Sequence, residues 1–568
     1  MTQTFTPAAS SRRPWIVVAV AMLGSVAVLL IWLLGTSTGN LLEDLKTWQP
    51  RSLDACALLG LLVGVYSINR VGLDVWRREG ARIGMLAALG VGLTLFAAPR
   101  TNRIFYDEQI YQSIGQNIAD LRLAQVCNDG SVEYGRLRCA SGEYNKQPYA
   151  YPHVLSLAYR LSGVHAGTAF ALNAVAMGLT VCAVYLLVCV LFRDREAALF
   201  AGLLIALIPQ QLLWSATAAV EPSASLALVG ALLCAAHYLR DGGWAALGAA
   251  VVAAAYAIQF RPESLLIIPV VAFVAWPRLR LDLQRPRGWW AATLFLWLVA
   301  MHAAHLFAVR HVAWGTIGPR FSLRYFAANL RVNGWFYLYD ERFPVAFTLL
   351  AVVGLLAFRR RREAVAMAIY FVLFFGIDLV FYAGSYNYGA DVRYSLMTYP
   401  PIAVLGGLGA AHLARQFARL GVRVGASVPA RALLVTILVF QFLWYAPAVR
   451  ATTEEAWAAR ADVRFAQAFA QEIPGNAYVL THNPGMFHLW GVNAGQMALV
   501  TSNPAYVRFL ARHYSGGIYL HWNFWCNVDD PVQQQVCRAA LATSPADVVK
   551  EYRERDQRFA FYRITVGQ

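Results

Sequence analysis

The run Tyr106-Asp107-Glu108-Gln109-Ile110-Tyr111 places two adjacent carboxylates directly after a hydrophobic stretch long enough to cross a bilayer. An ionised carboxylate at such an edge can accept a proton from an attacking hydroxyl or hold a divalent cation. Asp107 and Glu108 are therefore the candidate catalytic residues, and the candidate ligands of a Mg, Mn or Ca ion. Ile110, Ile114, Ile118 and Leu121 recur at helical spacing. They predict an amphipathic helix lying on the membrane surface, with both acids in its first turn, where the helix dipole favours anions. Asp107 and Tyr111 stand four apart and share a face, so Tyr111 is a candidate substrate contact. The plain counterpart is that the acids only cap a surface helix.

A second polar group follows at Tyr144-Asn145-Lys146-Gln147-Pro148-Tyr149-Ala150-Tyr151-Pro152-His153. Lysine occurs only at 46, 146 and 550, so a general arginine bias does not explain Lys146, which is placed with the phosphate-binding candidates. Tyr149, Tyr151 and His153 offer substrate contacts or, more simply, part of an interfacial aromatic belt. Glu221, Arg261 and Glu263 border hydrophobic segments. A charge at the bilayer centre costs about 2.5–3.5 kcal/mol on insertion scales. The three should therefore meet one another or water at the membrane edge, as a structural ion pair or as a cavity wall. Arg393 and Tyr394 precede another span, and a guanidinium can grip a phosphate bidentately. Segment 310–344 carries Arg310, Arg320, Arg324, Arg331 and Arg342. Arg320 and Arg324 would share a helix face and join the phosphate candidates; pairing with anionic headgroups is the plainer account.

These groups need a membrane scaffold, and the composition supplies one. Of 568 residues, 58% are apolar and only 14% charged, against roughly 25% charged in soluble domains. The net charge of +16 is almost all arginine. Those arginines flank hydrophobic segments, which argues for topology rather than nucleic-acid binding. Thirteen spans are expected: 15–34, 53–70, 83–98, 166–192, 197–214, 222–239, 243–259, 264–276, 289–309, 345–358, 365–383, 395–411 and 432–449. The first is too long for a signal-peptide core and follows a short tail with Arg12 and Arg13. With that tail inside, the arginine-rich loops fall on the cytoplasmic side, and 99–165, 310–344, 384–394 and the tail from 450 fall outside.

Cysteines agree with this sidedness. Cys127 and Cys139, and Cys526 and Cys537, form two closely spaced pairs in outside segments, while Cys56, Cys182, Cys189 and Cys234 fall in spans. Such pairs in an oxidising compartment read as disulfides, each contributing about 3 kcal/mol if unstrained. The fold class is thus mainly α: a polytopic bundle over 1–449, with a large first loop at 99–165, followed by a small α/β domain over 450–568. In that tail Ala477–Leu480, Ile518–Trp522 and Phe559–Ile564 read as strands, and 454–472 and 545–556 as helices. His482, His488, His513 and His521 match no metal spacing, and Trp490, Trp522 and Trp525 suit a domain core or stacking on sugars. Asp378, inside a span, reads as a satisfied buried acid.

The order of these features resembles the GT-C glycosyltransferases: a membrane helix, Asp-Glu with a following Tyr, a long outside loop, then Lys-x-Pro and aromatics before the next helix. Within them it is most similar to the branch of protein O-mannosyltransferases and the lipid A aminoarabinose transferase. Glu221-Pro222, Phe260-Arg261-Pro262-Glu263 and Arg393-Tyr394 match loosely, and the resemblance spans about residues 80–410. Two spans precede the one leading to Asp107 where many relatives have one, and the tail domain has no assigned counterpart. The resemblance implies transfer of a sugar from a polyprenyl phosphate to a glycan, lipid or protein acceptor outside the cytoplasmic membrane. The first-loop acid, Asp107 before Glu108, is then the base or metal ligand. The arginine and alanine bias points to a bacterium. A flippase or transporter of lipid-linked saccharides is the rival, but no internal repeat is present and the large outside segments favour an enzyme. Neither the sugar, the acceptor nor the oligomeric state is legible.

Overall fold

The computed structural model describes residues 13–104, 106–312, 318–387, 391–424, 430–450 and 456–565; Arg12 and the side chains of Arg13, Arg70 and Arg423 lie outside the described residues. The helices of the bundle are α1 (Arg13–Gly35), α2 (Thr38–Phe96), α3 (Asp107–Leu121), α4 (Ala150–Ser162), α5 (Gly167–Phe192), α6 (Arg195–Leu207), α7 (Pro209–Ser215), α8 (Glu221–Asp241) and α9 (Trp244–Ala257). They continue as α10 (Ile267–Asp282), α11 (Pro286–Ala308), α12 (Phe326–Leu338), α13 (Val345–Ala357), α14 (Arg362–Val380), α15 (Tyr399–Val424) and α16 (Ala430–Arg450).

Among the described residues nine helices are long and apolar enough to cross a membrane, or ten if α6 and α7, bent by 60° at Ile208, form one span. The shorter apolar helices α9 and α13 complete the set. Every expected span falls on helical chain. The spans at 53–70 and 83–98 share α2, which has 59 residues. Straight, it would extend about 90 Å, three times a bilayer core. Yet both its ends lie at one end of the bundle. Lys46 Nζ donates to Gly142 O (2.9 Å) and Arg122 reaches Asp54 (3.2 Å), both partners being in the first loop, into which Ala97 also leads. Its middle meets the opposite end, where Glu79 pairs with Arg195 at the start of α6 (3.2 Å). α2 therefore doubles back, and the two expected spans are its arms.

The predicted surface helix is α3, and its setting differs from the prediction. It is not laid on a membrane face: residues 108–118 are buried except Ile110, which is partly buried. The apolar stripe packs on α4 instead of on lipid. Gly115 lets the two helices approach so closely that an added Cβ would sit 3.0 Å from Leu155 Cβ. The polar stripe is covered by the tail, whose helices α17 (Trp457–Glu472) and α18 (Pro484–Leu489) lie above it. At Gly485 of α18 a Cβ would come 2.7 Å from Ser113.

The tail is an α/β unit built on one seven-stranded sheet. Its strands are β1 (Val126–Glu133), β2 (Arg136–Glu143), β3 (Tyr478–Thr481), β4 (Asn493–Gln496), β5 (Ile518–Trp522), β6 (Ala546–Glu554) and β7 (Gln557–Ile564), in the order β2-β1-β4-β3-β5-β7-β6. The hairpin β1–β2 belongs to the first loop. It joins antiparallel to β4 through Asp129 opposite Gly495 and Gly130 opposite Ala494. The α/β unit thus draws on the loop as well as on residues beyond 450, where the sequence assigns it to the tail alone. The helix expected at 545–556 is instead β6, an edge strand whose residues stay half-exposed or exposed while it pairs with β7. Val548, Val549 and Tyr552 favour that outcome. Disulfides Cys127–Cys139 and Cys526–Cys537 form as paired in the sequence.

Candidate active site

Asp107 begins α3 at the loop end of the bundle. Tyr106 before it has φ +70°, a conformation rare for an aromatic residue. Two contacts hold it there: its N–H donates to Gln109 Oε1 (3.1 Å), and its ring stacks on Trp525 (4.8 Å between centroids). Trp525 comes from the tail. β3 and β5 are adjacent and parallel, and their carboxyl ends carry Thr481–Asn483 and Trp522–Trp525 toward the first loop. Chain connections leave these two strands in opposite directions, the position where open α/β sheets form a crevice.

The two acids have different surroundings. Glu108 is fully buried. Its Oε1 accepts from the amides of Arg103 (2.7 Å) and Ile104 (3.0 Å), and its Oε2 from that of Ala218 (3.2 Å). Burial pushes its carboxyl up to about 7, against the pull of those three amides. Both oxygens are spent on backbone, so Glu108 clamps the loop to the α7–α8 turn. That turn is itself held by Asn173, which donates to Thr217 O (2.8 Å) and Ala219 O (2.7 Å).

Asp107 keeps 27% of its side chain exposed. Its Oδ2 faces Arg393 (3.4 Å) and its Oδ1 accepts from Gln147 Nε2 (3.5 Å). Burial raises its carboxyl above the usual range, and Arg393 opposes that rise; Glu221 adds to it, while Arg261 and Lys146 pull the other way. Arg393 also reaches Glu221 Oε1 (3.1 Å), and Arg261 pairs with both Glu221 and Glu263. Tyr394 backs the two guanidiniums at about 5 Å, Arg261 at 4.9 Å and Arg393 at 5.0 Å. Five charged side chains from α3, α8 and the 3₁₀ turns Pro262–Leu266 and Asp391–Thr398 so form one chain of contacts. The structure brings Asp107, Glu221, Arg261, Glu263, Arg393 and Tyr394 together, with Tyr111 of α3 buried within range of the same charges. Lys146 lies close enough to feel both Asp107 and Arg320, and burial lowers its ammonium pKa. Arg324 is exposed and turns to Tyr325 instead.

Three expected substrate contacts take other parts. Tyr149 and Tyr151 are fully buried rather than interfacial. Tyr149 Oη closes the turn that carries Lys146, accepting from Asn145 N (2.8 Å) and donating to Asn145 O (3.0 Å). Tyr151 Oη donates to Ala218 O (3.0 Å), beside the Glu108 clamp, and its ring meets Tyr111 edge-on. His153 sits between Asp54 (3.0 Å) and Tyr256 (2.9 Å), on the side of α4 that faces α2 and α9. Burial, the satisfied hydroxyls of Tyr149 and Tyr151 and the two partners of the His153 imidazole make these three positioning residues. The sequence reading passed over Gln147, although it lies inside the segment singled out, and over the pair Tyr144 and His305 (2.9 Å), which anchors that segment to α11.

Of the two acids expected to hold a cation, Glu108 faces three backbone amides and Asp107 faces Arg393 and Gln147. A second group, His482, Cys526 and Cys537, has ligand-like spacing, but its sulfurs are joined to each other and supply no thiolate.

Residues 146–305 match the family described as dolichyl-phosphate-mannose-protein mannosyltransferase. No curated protein sequence is detectably similar to the chain. ArnT from Cupriavidus metallidurans in its apo state superposes with a TM-score of 0.53 at 16% identity, over 84% of this chain and 97% of that one. The same protein bound to undecaprenyl phosphate gives 0.52, with the same identity and coverage. An oligosaccharyltransferase from Archaeoglobus fulgidus, in complex with an inhibitory peptide and a dolichol-phosphate, reaches only 0.49 at 13% identity, over 87% of this chain and 75% of that one. The chain has the GT-C glycosyltransferase fold, and its first-loop acid stands where the loop end of that bundle gathers its charges.

Proposed function

We propose that this chain is a membrane glycosyltransferase that moves a sugar from a polyprenyl phosphate to an acceptor hydroxyl. The observation that carries the reading is the partly open Asp107 carboxylate beside Arg393 and within reach of Lys146, which in turn feels Arg320. Asp107 takes the proton of the acceptor hydroxyl as its oxygen bonds to the sugar C1. The bond from C1 to the phosphate oxygen breaks, and the polyprenyl phosphate leaves with the electron pair. Arg393, Lys146 and Arg320 offset the charge that gathers on that phosphate. Glu221, Glu263 and Arg261 hold Arg393 in place, and Glu108 fixes the backbone from which Asp107 projects.

The undecaprenyl phosphate bound by ArnT and the dolichyl-phosphate-mannose of the matched family support a lipid-linked donor. The arginine pattern supports a cytoplasmic-membrane protein of a bacterium with this recess on the outer side. The test is transfer by purified Asp107→Asn from a polyprenyl-phosphate-linked sugar. Turnover should vanish while folding and donor binding persist; full turnover in the variant sinks the assignment.

A further inference from the structure

α3 has a second polar face. Gln116 follows Asp107 by nine residues, about 2.5 helical turns, and so lies opposite it; Gln112 lies near Gln116. That face borders two adjoining cavities between the tail and the loop end of α5, of about 510 and 500 Å³, which share Gln467 and Trp490 among their walls. Gln112 and Gln116 are 3% and 1% exposed, yet the side-chain oxygen of each lacks a hydrogen-bond partner. Their orientation is fixed. Gln112 Nε2 donates to Glu108 O (3.2 Å) and Gln116 Nε2 to His488 O (3.4 Å), which leaves the oxygens as the unpartnered ends of two side chains that line the cavities. A buried acceptor without a donor costs about 1–3 kcal/mol, so these sites call for a ligand's O–H or N–H. The first cavity also carries Arg100, Arg460 and Arg464, and no acid is among the residues lining either cavity. Arg464 pairs with Glu554 at the rim.

We infer that this groove binds an acidic saccharide. The ligand must donate hydrogen bonds to buried carbonyl oxygens and also present negative charge to guanidiniums, with Trp490 as an apolar wall for a sugar face. Inorganic phosphate and a phosphatidylglycerol headgroup can also donate a hydrogen bond and present charge, but neither has a sugar face to lie against Trp490. The groove reaches Thr101 and Asn102, just before the Tyr106 turn. A saccharide held there leads round the N-terminal end of α3 toward Asp107. This rests on the transferase reading and names the acceptor's chemistry.

Calorimetric titration of the purified full-length protein with trigalacturonate tests it, with maltotriose, inorganic phosphate and phosphatidylglycerol micelles as comparators. Trigalacturonate should bind, and at least tenfold more tightly than maltotriose. Arg460→Gln/Arg464→Gln, at the accessible rim, and Gln112→Leu should each lose at least tenfold. Asp107→Asn should bind as the wild type does, which separates this site from the catalytic assignment. Unchanged affinity in the rim variant, or a response to phosphate or phosphatidylglycerol with none to the trisaccharide, overturns the inference.

Discussion

Two clusters of ionisable side chains flank Tyr106, and they contrast sharply. In the tail, Asp462 pairs with His521 (2.9 Å), whose other ring nitrogen meets Thr481 Oγ1 (3.1 Å). The order hydroxyl, imidazole, carboxylate looks like a nucleophile relay. But Asp462 is 1% exposed, His521 and Thr481 are 0% exposed, and Phe561 stacks on the imidazole at 4.5 Å. No reactant can reach it. On the other side, Asp107, Glu221 and Glu263 gather about Arg393 and Arg261, and Asp107 stays partly open. Relay-like geometry without access is architecture; the charged cluster with access is where the chemistry is proposed. Buried ion pairs give weak support to stability in any case, while breaking one costs about 3–5 kcal/mol.

The contrast breaks if substitutions in the two clusters act alike. Asp107→Asn should lower transfer by about a thousandfold, near the middle of what a general base supplies, with the thermal midpoint nearly unmoved. Asp462→Asn should do the reverse: destabilise by about 3 kcal/mol, read by thermal unfolding, while the surviving folded enzyme turns over normally. Arg393→Gln should cost about a hundredfold in transfer, through lost stabilisation of the leaving phosphate. Trp525→Ala removes the ring that pins the strained Tyr106 turn and should cost about tenfold in kcat. The pH profile sharpens the comparison most finely. A carboxyl whose pKa is raised stays protonated to higher pH, and a base must be ionised. The rate should therefore fall on acidification through a point above the ordinary carboxylate value of 3.8. Arg393→Gln, having lost the nearest opposing cation, should move that limb to still higher pH.

Much of the bundle was legible because hydrophobic length and arginine placement are local signals. Both disulfides and strand β5 were readable for the same reason. Asp107 stood out from an acidic pair after a span, yet nothing local separated it from Glu108. Three backbone amides make that separation, and the one from Ala218 lies 110 residues away. Tyr149, Tyr151 and His153 showed the right residue types, but their burial depends on α2, α8 and α9 closing around them. α3 read as a membrane-surface helix because its polar stripe matches water as well as it matches a covering domain. β1 and β2 were missed because a short polar hairpin becomes strand only on meeting β4. The helix expected at 545–556 failed because pairing with β7 outweighs helical spacing in so short a segment.

The join between β1 and β4 sets a timetable. Val132 N donates to the Asn493 side chain across 361 residues of chain, so the loop behind Asp107 has an open strand edge until β4 has been made and has folded onto it. A chain that stopped after its final span would carry every charged residue of the cluster without the β4 edge that completes the loop hairpin and without the Trp525 ring that stacks on Tyr106.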